Sequence, residues 1–407
     1  MKFHRNLVQT VIETLQQIFI SGLYADRAIE QVLKQNPRFG SRDRRFIAET
    51  TYEIVRWMRY ISLCVSEEHG TSKSHYYKLF AAWHHLKGIE LPDWKEFDGI
   101  HKNEISKKAA QIKLIRKYRE SIPDWLDEIG IAELGEAVWE KEIHELNKEA
   151  QVVLRVNTLK ISAEELRNKL SEQGIEAETL SNPSPVWGEI KGAALIVKRQ
   201  NLYHLKEYKQ GLFEIQDASS QLIAPFLQLK EGMTVIDACA GAGGKSLHIA
   251  ALMKNKGRII SMDVEERKLI ELKKRAERAG AGMIQTQLIN SDTINKLKNT
   301  ADRLLLDVPC SGLGVIRRNP DAKWKLSLDF INKVKKTQQE IICTYHQMLK
   351  PGGIMVYATC SILPGENQNQ AELFLNKNKN IFEFIKERKV MPSEGFDGFY
   401  MAAFRKL

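Results

Sequence analysis

From Met233 to its end the chain alternates short apolar runs with helix-forming segments, a pattern that restricts this half to a mostly parallel sheet with helices on both faces. The expected strands are Thr234–Cys239, Arg258–Met262, Met283–Ile289, Arg303–Val308 and Ile354–Ala358, and Phe382–Ile385 with Phe399–Phe404 should close the sheet as a hairpin. At 407 residues the chain is too long for one ordinary domain. The α/β domain is assigned to 226–407. Before it, Gln151–Asn157 reads as a strand, Ser162–Gln173 as a helix and Ala194–Val197 as a short strand, so 146–225 forms a small α+β connector.

Residues 1–145 read as all-α. Leu7, Val8, Val11, Ile12, Leu15, Ile18 and Phe19 recur at three- and four-residue steps and make one amphipathic face. A second helix, Ala25–Lys34, is closed by Asn36-Pro37, and a third, Arg42–Val65, follows the start signal Gly40-Ser41. The polar stretch 66–98, with Gly70, Ser72, Ser74 and Pro92, carries no pattern that assigns an element, and Ile122–Leu126 restarts a helical run.

Hydrophobic residues at 43% and charged residues at 28% describe an ordinary globular protein and exclude a disordered or collagen-like chain. A net charge of +10 calls for an anionic partner. No uncharged run approaches the ~20 apolar residues that cross a bilayer, so nucleic acid is favoured over membrane. Two basic segments fit that partner. Arg38, Arg42, Arg44, Arg45, Arg56 and Arg59 are interleaved with Phe39, Phe46 and Trp57, a cluster that reads equally as solvated arginines over a helical core or as a nucleic-acid contact. Lys102–Arg119 holds seven basic residues on a helix-compatible pattern that could face phosphates. The first residues lack the apolar core of a secretory signal, and the cysteines Cys64, Cys239, Cys310, Cys343 and Cys360 show neither zinc-type spacing nor an even count for disulfides. A cytoplasmic protein without a metal site, acting as a monomer, is expected.

The segment Val235–Ser246 ends a strand in a glycine turn and opens a helix, which suits close approach of backbone to a ligand. A P-loop is excluded despite Gly244-Lys245-Ser246, because Cys239 stands where its first glycine is required. A dinucleotide and S-adenosylmethionine both remain: Asp263, at the end of the next strand, suits the ribose of either. Asp237 within the strand, and Asp307 followed by Pro309-Cys310, are left unexplained by a dinucleotide.

Cys310 and Cys360 both fall just beyond strand ends, where open α/β sheets bind ligands, and both are bracketed by Pro, Gly or Ser. Cys64 and Cys343 read instead as small buried hydrophobes. Two cysteines at adjacent strand ends match a particular chemistry. Carbon 5 of cytosine is a poor nucleophile until a thiolate adds at carbon 6, and afterwards a second group must help remove the carbon 5 proton and release the thiol. Asp307 reads either as the group that hydrogen-bonds the ring and holds it or as a surface residue or simple cap of the strand end.

At Asp237–Lys245 (DACAGAGGK), Asp307–Trp324 (DVPCSGLGVIRRNPDAKW) and Tyr357–Gly365 (YATCSILPG) the sequence resembles the RsmB/Sun/Fmu family of RNA 5-methylcytosine methyltransferases. Leu154–Asn157, Gln216–Gln221 and Asp397–Phe399 match family segments too, and Ala25–Arg59 resembles its NusB-like helical domain. The resemblance implies a Rossmann-like methyltransferase domain with S-adenosyl-L-methionine as cofactor and RNA as partner, ribosomal RNA before transfer RNA. It implies Cys360 as nucleophile and Cys310 in product release. Cofactor contacts would come from Cys239, Ala240, Gly241, Ala242, Gly243, Gly244, Lys245, Asp263, Asp292 and Asp307. The chain departs from the commonest family loop at Gly241-Ala242, where Ala-Pro is usual. Two readings of other classes stand beside this one: an RNA-binding assembly factor on an inactive methyltransferase fold, and a nicotinamide oxidoreductase.

Overall fold

A computed structural model describes residues 3–68, 70–180 and 194–407. The chain forms two compact units, one of residues up to Lys148 together with Ile316–Leu328, the other of Glu149–Val315 and Asp329–Leu407.

The first unit is helical. Helix Arg5–Phe19 buries the expected face, Leu7 through Ile18, and is followed by helix Ala25–Gln35. The run expected as one helix to Val65 is two, Ser41–Arg56 and Met58–Cys64, because Trp57 leaves helical geometry at ψ 18°. The polar stretch 66–98 contains a helix after all, Lys73–Leu86, capped by the Ser72 hydroxyl on the His75 N–H at 3.1 Å. Tyr76, Leu79, Phe80, Ala81, Ala82, Trp83 and His84 are all buried, so this helix is covered on most sides and shows no polar face for periodicity to detect. Further helices run Lys102–Ile112, Arg116–Arg119, Asp124–Leu134 and Glu136–Leu146.

Into this unit comes a strap, Ile316–Leu328, from the far half of the sequence. The Asp321 carboxylate accepts the Ala25 N–H at 2.9 Å, the Trp324 indole N–H donates to the Val55 carbonyl at 2.8 Å, and Lys325 donates to the carbonyls of Gly22 and Leu23. Fully buried Lys323 donates to the Arg56 carbonyl at 2.8 Å and to Asn147 Oδ1 at 3.0 Å. Burial works against its positive charge and, with Arg56 nearby, pushes its pKa well below the usual lysine value.

The second unit carries two sheets. The smaller is antiparallel, in the order β2-β3-β1-β4, from β1 Val152–Val156, β2 Ala177–Thr179, β3 Ala194–Val197 and β4 Phe213–Ile215. The larger runs β10-β11-β9-β8-β5-β6-β7. Its parallel strands are β5 Thr234–Asp237, β6 Arg258–Asp263, β7 Ile284–Leu288, β8 Ala301–Asp307 and β9 Leu349–Thr359; β10 Phe382–Val390 and β11 Phe399–Lys406 complete it antiparallel. This is the expected α/β architecture with its closing hairpin. Strand β9 begins five residues before the expected Ile354, through Pro351-Gly352-Gly353; a register shift opposite Ala301–Arg303 and the positive φ of Gly352, 75°, accommodate that segment. The connections leave β5 toward β6 on one side, and β8 lies on the other. The crevice at these carboxyl ends is therefore the switch point at which such sheets take ligands.

Candidate active site

Strand β5 ends in the glycine turn. Gly241 and Gly243 have φ of 53° and 87°, and a Cβ on Gly243 would lie 2.4 Å from the Leu272 side chain, so the turn requires glycine there for shape and for space. Gly241 faces open space, which leaves the outer side of the turn accessible. The helix Gly244–Leu252 starts from it. Asp263, at the end of β6, accepts the Gly241 N–H at 2.9 Å on one carboxylate oxygen and the Glu265 N–H at 2.9 Å on the other. It therefore braces the turn and caps the following chain at once. Cys239 lies in the turn, and burial, reinforced by Asp237, pushes its thiol pKa well up. Asp237 is fully buried, accepts the Ser246 hydroxyl at 2.6 Å, and is pushed up to about 7 by that burial. It is a strut inside the sheet end.

Two arginines that the sequence did not single out hold the turn from the side. Arg275 donates to the Ala242 carbonyl at 2.8 Å and pairs with buried Glu214 of β4 at 2.8 Å, while buried Arg155 of β1 donates to the Gly244 carbonyl and to Gln216. Arg275, on helix Glu266–Ala279 and steadied by Glu214 of the small sheet, thus holds the Ala242 carbonyl at the position where the chain departs from the commonest family loop. Asp292 is different. It lies exposed in the first turn of helix Ser291–Lys296, with no hydrogen bond to the glycine turn among the described residues.

Strands β8 and β9 are parallel neighbours, with Asp307 opposite Ala358. Their ends bring the two singled-out cysteines together: Cys310 Sγ and Cys360 Sγ lie 3.2 Å apart. The contact with Cys360, followed by burial, holds the Cys310 pKa well above the usual thiol value. Cys310 is therefore kept as a proton-bearing thiol. Asp307 receives the Lys245 ammonium at 2.5 Å. Burial opposes the Lys245 charge, but Asp307 beside it more than offsets this and leaves its pKa raised. Glycine turn, Lys245, Asp307 and both thiols thereby form one constellation, suited to holding a planar polar ring between a carboxylate and two sulfurs.

Residues 224–405 match the family model described as 16S rRNA methyltransferase RsmB/F, and 122–185 match an RsmF/B-like ferredoxin-like domain. The ribosomal RNA small subunit methyltransferase B of Pasteurella multocida is 34% identical over 73% of this chain and 68% of its own. A probable enzyme of the same name from Synechocystis is 29% identical over 88% of this chain and 86% of its own. Among solved structures, a methyltransferase homolog protein from Pyrococcus horikoshii superposes with a TM-score of 0.60 at 27% identity, over 72% of this chain and 98% of that one. The structure of PH0851 covers 100% of both chains with a TM-score of 0.82 at 24% identity, a likeness of fold.

Proposed function

The chain belongs to the RsmB/F family of RNA methyltransferases, an S-adenosylmethionine-dependent enzyme family, and from that premise we propose that it methylates carbon 5 of a cytosine in 16S ribosomal RNA through a covalent adduct on Cys360. The observation that carries the reading is the pair of thiols 3.2 Å apart at the ends of β8 and β9, beside Asp307. S-adenosylmethionine, when bound, supplies an electrophilic methyl group. The turn Cys239–Lys245 and Asp263 are the residues that would hold it, Gly241 offering the open approach and Asp263 the charged acceptor. Asp292, exposed in the first turn of the helix that follows β7, would serve only at the rim of that site. Cys360 adds to carbon 6 of the ring, Asp307 holds the ring edge, and Cys310 takes part in removing the carbon 5 proton so that Cys360 can leave. The match of residues 224–405 to the RsmB/F methyltransferase model sets the nicotinamide oxidoreductase aside, and an inactive assembly factor has no need to keep both thiols.

Bisulfite sequencing of ribosomal and transfer RNA from cells lacking the gene tests the substrate. Loss of a single 5-methylcytosine from 16S RNA is expected; loss from a transfer RNA instead would move the enzyme to that substrate.

Cofactor binding gives a second expected result. Asp263→Ala removes a charged acceptor, and hydrogen bonds to charged groups contribute about 1.5–3 kcal/mol, so affinity for S-adenosylmethionine should fall roughly tenfold or more by calorimetric titration. Undiminished affinity would reduce Asp263 to its bonds with Gly241 and Glu265.

RNA contact is assigned to a subset of the basic residues. Arg56 and Arg59 are bound internally, Arg56 to Glu53 and the Arg317 carbonyl, Arg59 to Glu68 and Asp124. Arg116 pairs with Asp127 and Glu136, and Arg119 with Glu120 and Glu140. Arg38, Arg42, Lys107 and Lys113 are exposed and remain for phosphates. Replacing these four by Gln should weaken RNA binding and flatten its log–log salt dependence by about 0.7–0.9 for each phosphate no longer neutralised, with cofactor affinity unchanged. An unaltered salt slope would place the RNA elsewhere.

A further inference from the structure

Glu366 lies in the short turn Pro364–Glu366 after the Cys360 loop, and it is fully buried. Its carboxylate gathers four donors. One oxygen accepts the Ser311 backbone N–H at 2.7 Å and the Gln338 amide at 3.2 Å, and the other accepts the hydroxyls of Ser311 and Ser361. Ser311 follows Cys310 directly and Ser361 follows Cys360, so a single carboxylate grips the residue next to each thiol across fifty positions of sequence. Its surroundings are equally tied down. The Gln338 amide also reaches the Pro309 carbonyl at 2.9 Å, and the Tyr357 hydroxyl donates to the Glu366 carbonyl at 2.7 Å.

The loops do not need Glu366 to stay together. The Gly314 N–H already donates to the Cys360 carbonyl at 2.9 Å, and a Cβ on Gly314 would lie 2.1 Å from the Gly398 carbonyl oxygen, so the backbones are in close contact without it. A buried carboxylate is costly to desolvate, and a turn serving only to connect a strand to a helix gains nothing from one. What the carboxylate adds is orientation. By fixing Ser311 through both its N–H and its hydroxyl, and Ser361 through its hydroxyl, it sets the direction in which the neighbouring side chains leave the backbone. Its negative charge also stands near Cys310, after the contact with Cys360 and burial a further influence that keeps that thiol protonated. The geometry points to Glu366 as the positioning residue that holds Cys310 and Cys360 at their working separation. This rests on the two-cysteine reading above for its catalytic meaning, but not for its structural content.

The test uses the full-length protein without RNA or cofactor, treated with dibromobimane, a reagent that bridges neighbouring thiols, with the bridged peptides identified by mass spectrometry. The parent should yield the Cys310–Cys360 bridge. Glu366→Gln, which keeps the size and loses the charge, should lower that yield several-fold, and Glu366→Asp should restore part of it. In turnover assays the Gln variant should lose about 10²-fold in kcat, the scale on which misplacement of reacting groups acts, with KM for RNA held within about twofold. A folded Gln variant with the parent's bridging yield overturns the proposal. If that variant does not melt cooperatively, Ser311→Ala with Ser361→Ala leaves the carboxylate and removes both hydroxyl donors; lowered bridging again supports the clamp and parental bridging overturns it. Because bridging reports thiol geometry alone, its outcome stands whether or not Cys360 proves to be the nucleophile.

Discussion

Cys310→Ala is expected to leave the protein covalently attached to its RNA, in a band that survives denaturing electrophoresis, while Cys360→Ala forms no such band. The two losses differ because the thiols enter at different steps. In the parent enzyme the Cys360 thiolate bonds to carbon 6 and carbon 5 takes the methyl group; the carbon 5 proton then passes to the Cys310 thiolate, and the carbon–sulfur bond breaks with its electron pair leaving on Cys360 as the ring double bond is restored. Without Cys360 the first bond never forms. Methyl transfer should then fall by about 10⁴-fold or more, with RNA and cofactor still bound, as when a nucleophile is deleted from a catalytic group that acts as a unit. Without Cys310 the first two steps proceed and the last two stall. A raised pKa leaves Cys310 a poor source of attacking thiolate at rest and a strong proton acceptor once ionised, which fits removal of the carbon 5 proton better than attack on carbon 6. The double variant should give no band. An adduct in Cys360→Ala but not in Cys310→Ala would exchange the roles, and full turnover in either single variant would end the two-cysteine mechanism.

Much of this site was legible because its parts are local. A strand running into a glycine turn, an aspartate at the next strand end and a cysteine after each of two strands are all written in contiguous residues, and the sheet rule places strand ends together. Glu366 was not legible. It is one glutamate in a generic turn, and its four donors come from Ser311, Gln338 and Ser361, which only the folded sheet brings together. Arg155 and Arg275 were hidden for the same reason, since each belongs locally to an ordinary strand or helix. The helix Lys73–Leu86 escaped because its burial on most sides erases the polar stripe that periodicity needs. Arg116 and Arg119 looked like phosphate ligands because a linear count of charge does not show that Asp127, Glu136 and Glu140 fold back onto them.

The strap is the largest departure from the linear reading. Asp307–Trp324 reads as one continuous motif, yet its first part belongs to the sheet and the residues from Ile316 onward to the helical unit. No local pattern announces this, because apart from the Asn147 side chain the anchors that hold Asp321, Lys323, Trp324 and Lys325 are backbone groups, the Ala25 N–H and the carbonyls of Gly22, Leu23, Val55 and Arg56, which every sequence possesses. It also means that deleting the first 140 residues would strip the strap of its partners and expose a buried lysine. Truncation is therefore a poorer probe of RNA binding than the exposed-residue substitutions.

Lys323→Ala is expected to destabilise the helical unit severely. The change leaves the Arg56 carbonyl and Asn147 Oδ1 without this donor in a fully buried place, at about 1–3 kcal/mol for each unsatisfied group, and opens a cavity where the four-carbon stem lay, at roughly 2–5 kcal/mol. Against a domain stability of about 5–15 kcal/mol that is a large share. Calorimetry of the full chain should show the transition of this unit moved down by roughly 10 °C or more, at about 2–4 °C per kcal/mol for a unit of this size. Hydrogen exchange should speed up in Ile316–Leu328 and in helix Ser41–Arg56. The pH dependence supplies an independent signature. The Lys323 pKa is lowered in the folded state, so the unfolded chain binds the extra proton. Stability contributed by this group must therefore rise with pH from the lowered folded value to the ordinary lysine value of about 10.4. In the variant that rise should vanish, leaving the unit less stable but flatter in pH. A melting temperature and alkaline slope equal to the parent's would show that the strap is held by Asp321, Trp324 and Lys325 without help from Lys323.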